Sequence, residues 1–125
     1  MWRVAVYAQE TPGRRGRDRL DRQVARLATG VARQPGWWHV ATYAFAAGWR
    51  PGLSRLLADA PGRFDIVAVD GYRRISADRH ERDAIFAHLK AVGVATALLR
   101  LSAARQLVTV ATEVALIDLI DGAMR

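Results

Sequence analysis

Arginine is the residue type in this chain with the most chemistry to offer. Lys90 is the one lysine, so arginine supplies nearly all of the 19 basic residues, against 12 acidic ones, for a net charge of +7. A surface of that sign attracts polyanions, nucleic acid first among them. An arginine- and alanine-heavy composition also follows from GC-rich coding, so charge alone is weak evidence of function. There is no cysteine, which excludes disulfides, thiolate metal sites and cysteine nucleophiles. The loop Thr11-Pro12-Gly13-Arg14-Arg15-Gly16 lacks the Gly-Lys-Ser/Thr ending of a phosphate-cradling P-loop, and no G-x-G-x-x-G follows the first strand, so nucleotide hydrolysis has no support. His39, His80 and His88 are not at zinc-ligand spacing and have no carboxylate cluster beside them. His80-Glu81 reads as a solvated helix face. The carboxylates are scattered, with no obvious acid–base pair. Trp37-Trp38 adjoins a strand start and reads as a lid over the core or a partner contact rather than a base-stacking platform.

The elements that must position these groups alternate. Val4–Ala8, His39–Phe45, Asp65–Val69 and Val94–Leu101 are short apolar runs that read as buried strands. Between them, Gln9–Arg17 reads as a loop with Pro12, Gly13 and Gly16 as breakers, and Leu20, Val24, Leu27 and Val31 then define one face of a helix over Asp18–Gln34, ended by Pro35-Gly36. Pro51–Ala60 is a short helix with proline in its first turn, closed by Pro61-Gly62. Asp78–Val92 is a third, with Ile85, Phe86, Leu89 and Val92 on one side. Ser102 can cap a last helix to about Ile120. Val110, Val114 and Ile117 line one face of that helix, widened by Ala111, Ala115 and Leu119. The order βαβαβαβα predicts a single α/β domain over 1–125: a four-stranded, mainly parallel sheet flanked by helices in three layers. Ligands of such sheets sit at the carboxyl ends of strands, here Tyr7–Thr11, Phe45–Arg50, Asp70–Arg74 and Arg100–Ser102.

The same pieces, in order, resemble the N-terminal catalytic domain of serine site-specific recombinases, the resolvase, invertase and large serine integrase family. Arg3-Val4-Ala5-Val6-Tyr7-Ala8 is similar to that family's opening strand, and Leu20-Asp21-Arg22-Gln23 with Leu27 to its first helix. Gly36-Trp37 with Val40 and Tyr43 resembles the approach to its second strand. Arg50-Pro51-Gly52-Leu53 with Leu56-Leu57 resembles its Arg-Pro-x-Leu-x-x-Leu-Leu segment. Gly62-Arg63-Phe64-Asp65-Ile66-Val67-Ala68-Val69 is similar to its third strand, Ala91-Val92-Gly93-Val94 to the lead into its fourth, and Arg105-Gln106-Leu107-Val108 to the start of its long dimer helix.

The resemblance implies a chemistry in which a serine hydroxyl attacks a DNA phosphodiester and arginines, with no metal or other cofactor, stabilise the charge. Carried over residue by residue, Thr11 stands at the nucleophile position and Gln9 where an arginine is expected. Tyr7, Gln23 and Arg50 agree with the pattern. Phe45 falls near an expected acidic residue. Tyr72-Arg73-Arg74-Ile75-Ser76-Ala77 occupies the Leu-Asp-Arg-Leu-x-Arg segment, so Arg74 matches one catalytic arginine, Arg73 replaces the aspartate and Ala77 the second arginine. One transition-state arginine is worth about a thousandfold or more, and threonine's β-branch restricts the rotamer.

The expectation is therefore a catalytically impaired homologue, a pseudoenzyme acting as a DNA-associated or regulatory dimerisation module. Its DNA contacts would be weak and mostly to phosphates, through Arg14, Arg15 and Arg73, and helix 102–120 would join a homodimer or higher homo-oligomer. One alternative is a working recombinase domain using Thr11 as nucleophile, with Arg73, Arg14 or Arg15 refilling the missing charge. The other is a protein-interaction module without DNA binding. The family usually carries a separate DNA-reading domain, and none is visible in 1–125. No apolar run has the length of a membrane span and no signal-peptide anatomy opens the chain, so a cytoplasmic protein is the default.

Overall fold

The computed structural model describes residues 1–11, 13–45, 49–101 and 107–111, with backbone alone at 49–51, 100–101 and 107–111. Its elements are β1 (Trp2–Gln9), α1 (Arg14–Ala32), β2 (Trp37–Phe45), α2 (Trp49–Arg63), β3 (Ile66–Val69), a 3-10 turn (Tyr72–Arg74), α3 (Arg79–Ala91), β4 (Ala95–Leu101) and β5 (Leu107–Ala111). They form one sheet in the order β2-β1-β3-β4-β5. The first four strands are parallel, in register Val4↔His39, Val4↔Ile66 and Ile66↔Ala95. Parallel strands covered on both faces carry continuous apolar runs, and Val4–Ala8 and Ile66–Val69 are buried throughout.

Each face has its own core. On one, Leu20, Leu27 and Val31 of α1 pack on Val4, Val6, Ile66 and Ala68. On the other, Leu53 and Leu56 of α2 and Ile85 and Leu89 of α3 pack on Ala5, Tyr7, Val67 and Val69. Alternate residues of the same strands thus feed opposite cores, which fixes the register.

The start of the first helix differs from expectation. Helix α1 begins at Arg14 rather than Asp18, because Gly16 does not break it. Gly16 lets the first turn close under Thr11, whose carbonyl oxygen a Cβ there would overlap. Gly13, at φ 114°, makes the sharp turn before it. The expected end of α2 holds: its path leaves the helix at Pro61 (ψ 111°) and Gly62 (φ 81°).

The largest correction falls after β4. In place of the first part of the expected helix 102–120, residues 107–111 form a fifth strand antiparallel to β4, from Ala97↔Ala111 to Leu101↔Leu107. Leu107-Val108-Thr109-Val110 is rich in β-branched side chains, which pair well on a pleated edge, and short apolar runs do not distinguish helix from strand. Residues 102–106 and 112–125 lie outside the described residues, Val114, Ile117 and Leu119 among them. A continuous apolar helix stripe through Val110 does not exist, and the homodimer argued from it loses that footing.

Candidate functional site

Because β2 and β3 lie on opposite sides of β1, the chain changes direction across the sheet at β1/β3. An open α/β sheet has its crevice beyond the carboxyl ends of the strands at that place. There the structure has a cavity of about 490 Å3 lined by Gln9 from the end of β1, Asp70, Gly71, Tyr72, Arg73 and Arg74 from the segment after β3, and Arg82 from α3. The 3-10 turn is anchored by Tyr72, whose ring meets Phe86 of α3 edge-on at 5.7 Å.

The cavity wall is held by a chain of ion pairs. Arg74 donates from Nε to Asp70 Oδ1 at 3.0 Å and from Nη1 to the Gln9 carbonyl at 3.0 Å. The same Nη1 lies 3.4 Å from Glu10 Oε1. Asp70 Oδ2 also meets Arg26 of α1 at 3.6 Å. Glu10 Oε2 accepts from Arg19 Nε at 3.3 Å, and Arg19 Nη2 donates to the Thr11 hydroxyl at 3.2 Å. One network therefore runs Arg26–Asp70–Arg74–Glu10–Arg19–Thr11, joining α1, β1 and the segment after β3.

Gln23 sets the height of that rim. Fully buried on α1, its Oε1 accepts from the Gln9 N–H at 3.0 Å and its Nε2 donates to the Gln9 carbonyl at 3.3 Å. The side chain thus bonds both backbone groups of Gln9, beyond the last β1–β3 pair, Val6↔Ala68. Tyr7, two residues earlier, is wholly buried in the α2/α3-side core, and loss of solvent pushes its phenol up to about 12.

The expected residues separate into groups. Tyr7, Gln9, Thr11, Gln23 and Arg74 come together at the carboxyl end of β1. Arg73 is exposed and lines the cavity. Arg14 and Arg15 are exposed on the first turn of α1, outside the cavity lining. Arg50 falls in the first turn of α2, and its side chain lies outside what is described. The loop after Phe45 includes undescribed residues 46–48, while Phe45 itself lies against Gly52, where a Cβ would strike its ring. Ala77 brings no charge. Sequence reasoning missed Glu10, Arg19, Arg26, Asp70 and Arg82 as members of the site. The available signal was Glu10 and Asp70 at strand ends, and Arg19 and Arg26 seven residues apart on one helix. Among the described residues there is no group of three or more His, Asp or Glu placed to hold a metal ion, and no helix is long and apolar enough to cross a membrane.

No protein-family model matches the chain, and no curated protein does. Among solved structures it is similar to the crystal structure of the N-terminal catalytic domain of TP901-1 integrase, with a TM-score of 0.66 at 22% identity, over 77% of this chain and 75% of that one. The likeness covers most of both chains, and the α/β fold described above is the resolvase-like fold of that catalytic domain.

Proposed function

We propose that this domain is a serine-recombinase-like module that associates with DNA through phosphate contacts and does not cleave it. The fold likeness and the net charge of +7 support the first half. The observation that carries the second is the engagement of Arg74. Its guanidinium already serves Asp70, Glu10 and the Gln9 carbonyl, so its donors are turned to the protein rather than to a phosphorane. Gln9 and Ala77 add no charge, and arginine stabilises a transition state only when held in tight geometry.

One observation favours a second reading, strand cleavage by Thr11: Arg19 places a cation 3.2 Å from the Thr11 hydroxyl. Incubating the protein with supercoiled and nicked plasmid, then denaturing and resolving protein–DNA adducts, separates the two. No covalent adduct is expected from the unmodified chain or from Thr11→Ser. A 5′-phosphothreonine adduct establishes the second reading instead. Absence of any DNA association at low salt replaces both with a protein-interaction module.

A further inference from the structure

Helix α1 buries Gly16, Leu20, Gln23, Leu27, Gly30 and Val31. To one side of that face runs a row of arginines: Arg15, Arg19, Arg22, Arg26 and, in the turn after the helix, Arg33. All five are exposed. Their spacings of 4, 3, 4 and 7 residues keep them within about 40° of one line at roughly 100° per residue. The row is roughly 27 Å long at about 1.5 Å per residue. Such alignment is not needed for burial, which the adjacent face of the helix already supplies. The row is also continuous with the cavity, because Arg26 pairs with the cavity-lining Asp70 and Arg19 with Glu10 beside Arg74.

We propose that this row is the track on which a nucleic-acid backbone lies, leading into the cavity at Arg73, Arg74 and Arg82. This rests on the DNA-associated reading above. The occupant is argued from shape and charge. A straight line of point charges about 27 Å long matches a regularly charged strand, which carries one phosphate per roughly 3.4 Å of axis. A membrane surface would need an apolar face beside the charges. The exposed large hydrophobics among the described residues are Met1, Trp38 and Val40, none of them on α1. Asp18 and Asp21 lie to one side of the row on the same helix and limit the track to one edge.

The test is the salt dependence of binding to a fluorescein-labelled duplex, read by anisotropy between about 50 and 200 mM salt. Arg15→Ala/Arg22→Ala/Arg33→Ala removes three charges from the row without touching the ion-pair network. It is expected to lower the slope of log K against log salt by about 2.7, which shrinks the affinity loss over that range roughly 40-fold. Arg55→Ala/Arg63→Ala/Arg79→Ala removes the same charge from α2 and α3 and is expected to leave the slope nearly unchanged. The row rebuilt with lysines is expected to keep the original slope, which separates lost charge from lost folding. Equal weakening by both alanine triples, or a slope changed only by Arg73→Ala/Arg82→Ala, overturns the track while the DNA-associated reading stands. If the unaltered protein binds no duplex at the lowest salt, the reading and the track fall together.

Discussion

The two ends of the sheet use the same residue types to opposite purposes. At the amino end, Arg3 and Asp65 close on each other. The Arg3 N–H and Nε donate to Oδ2 at 2.9 and 3.3 Å, Nη2 donates to Oδ1 at 3.1 Å, and Nη1 donates to the Gly62 carbonyl at 2.8 Å. The backbone of Asp65 meanwhile joins Arg3 of β1 and Ala95 of β4. Burial alone would raise the Asp65 carboxyl. The hydrogen bonds and charge of Arg3 outweigh it and hold the group below its usual 3.8. At the carboxyl end the arginines outnumber the carboxylates, are linked in series rather than in closed pairs, and border a cavity. A closed pair fastens strands; an open series with surplus cations leaves charge available to an anion.

The largest effect separating the ends should come from the neutral residue that holds the carboxyl rim. Gln23→Leu removes the Oε1 acceptor of the Gln9 N–H, at a cost of about 1–3 kcal/mol. The Gln9 carbonyl still accepts from Arg74. Gln23→Glu keeps an acceptor for that N–H and should lose less. Urea midpoints of the two variants check the order; equal losses would mean that Gln23 acts through packing alone.

The contrast also explains what was legible in the sequence. Buried strands such as Val4–Ala8 and Ile66–Val69 announce themselves by apolar runs between breakers, and helix α3 by Asp78, which caps it by accepting from the His80 N–H. Those patterns are local. The carboxyl-end network is not: Arg74 meets Gln9 from 65 residues away, and only the sheet order brings β1 beside β3. Gly16 was misread because its role is a close approach to Thr11, which composition cannot distinguish from a break. β5 was misread because a β-branched run with helical periodicity satisfies either template until β4 offers it an edge.

The second prediction concerns the amino end. Asp65→Ala should cost about 1–2 kcal/mol, since it undoes three hydrogen bonds to Arg3 on a partly exposed pair. The pH sign follows from the lowered carboxyl. Its contribution is complete above about pH 4, the unfolded range, and is lost as pH falls through the lower folded value. Stability profiles of the unaltered protein and Asp65→Ala should therefore converge below pH 4. Profiles that stay parallel into strong acid would show that the clamp works without its charge.

The smallest change in stability is expected at the other end, and it carries the functional half of the comparison. Asp70→Asn removes one negative charge that faces both Arg74 and Arg26. The asparagine oxygen still accepts a hydrogen bond from Arg74 Nε, and the side chain keeps its volume. Exposed and half-exposed ion pairs contribute little, so the loss should be under about 1 kcal/mol. Two guanidinium groups beside the cavity are then released from a carboxylate, and the local field becomes more positive. Duplex binding at low salt should tighten several-fold, and the slope of log K against log salt should steepen by up to about 1. Asp65→Asn removes the same charge far from the cavity and is the matched control. If the two asparagine variants tighten DNA binding equally, only net charge matters and the two ends of the sheet do not differ in function. If Asp70→Asn alone does so, the carboxyl-end carboxylate restrains an anion site that the amino-end carboxylate does not influence.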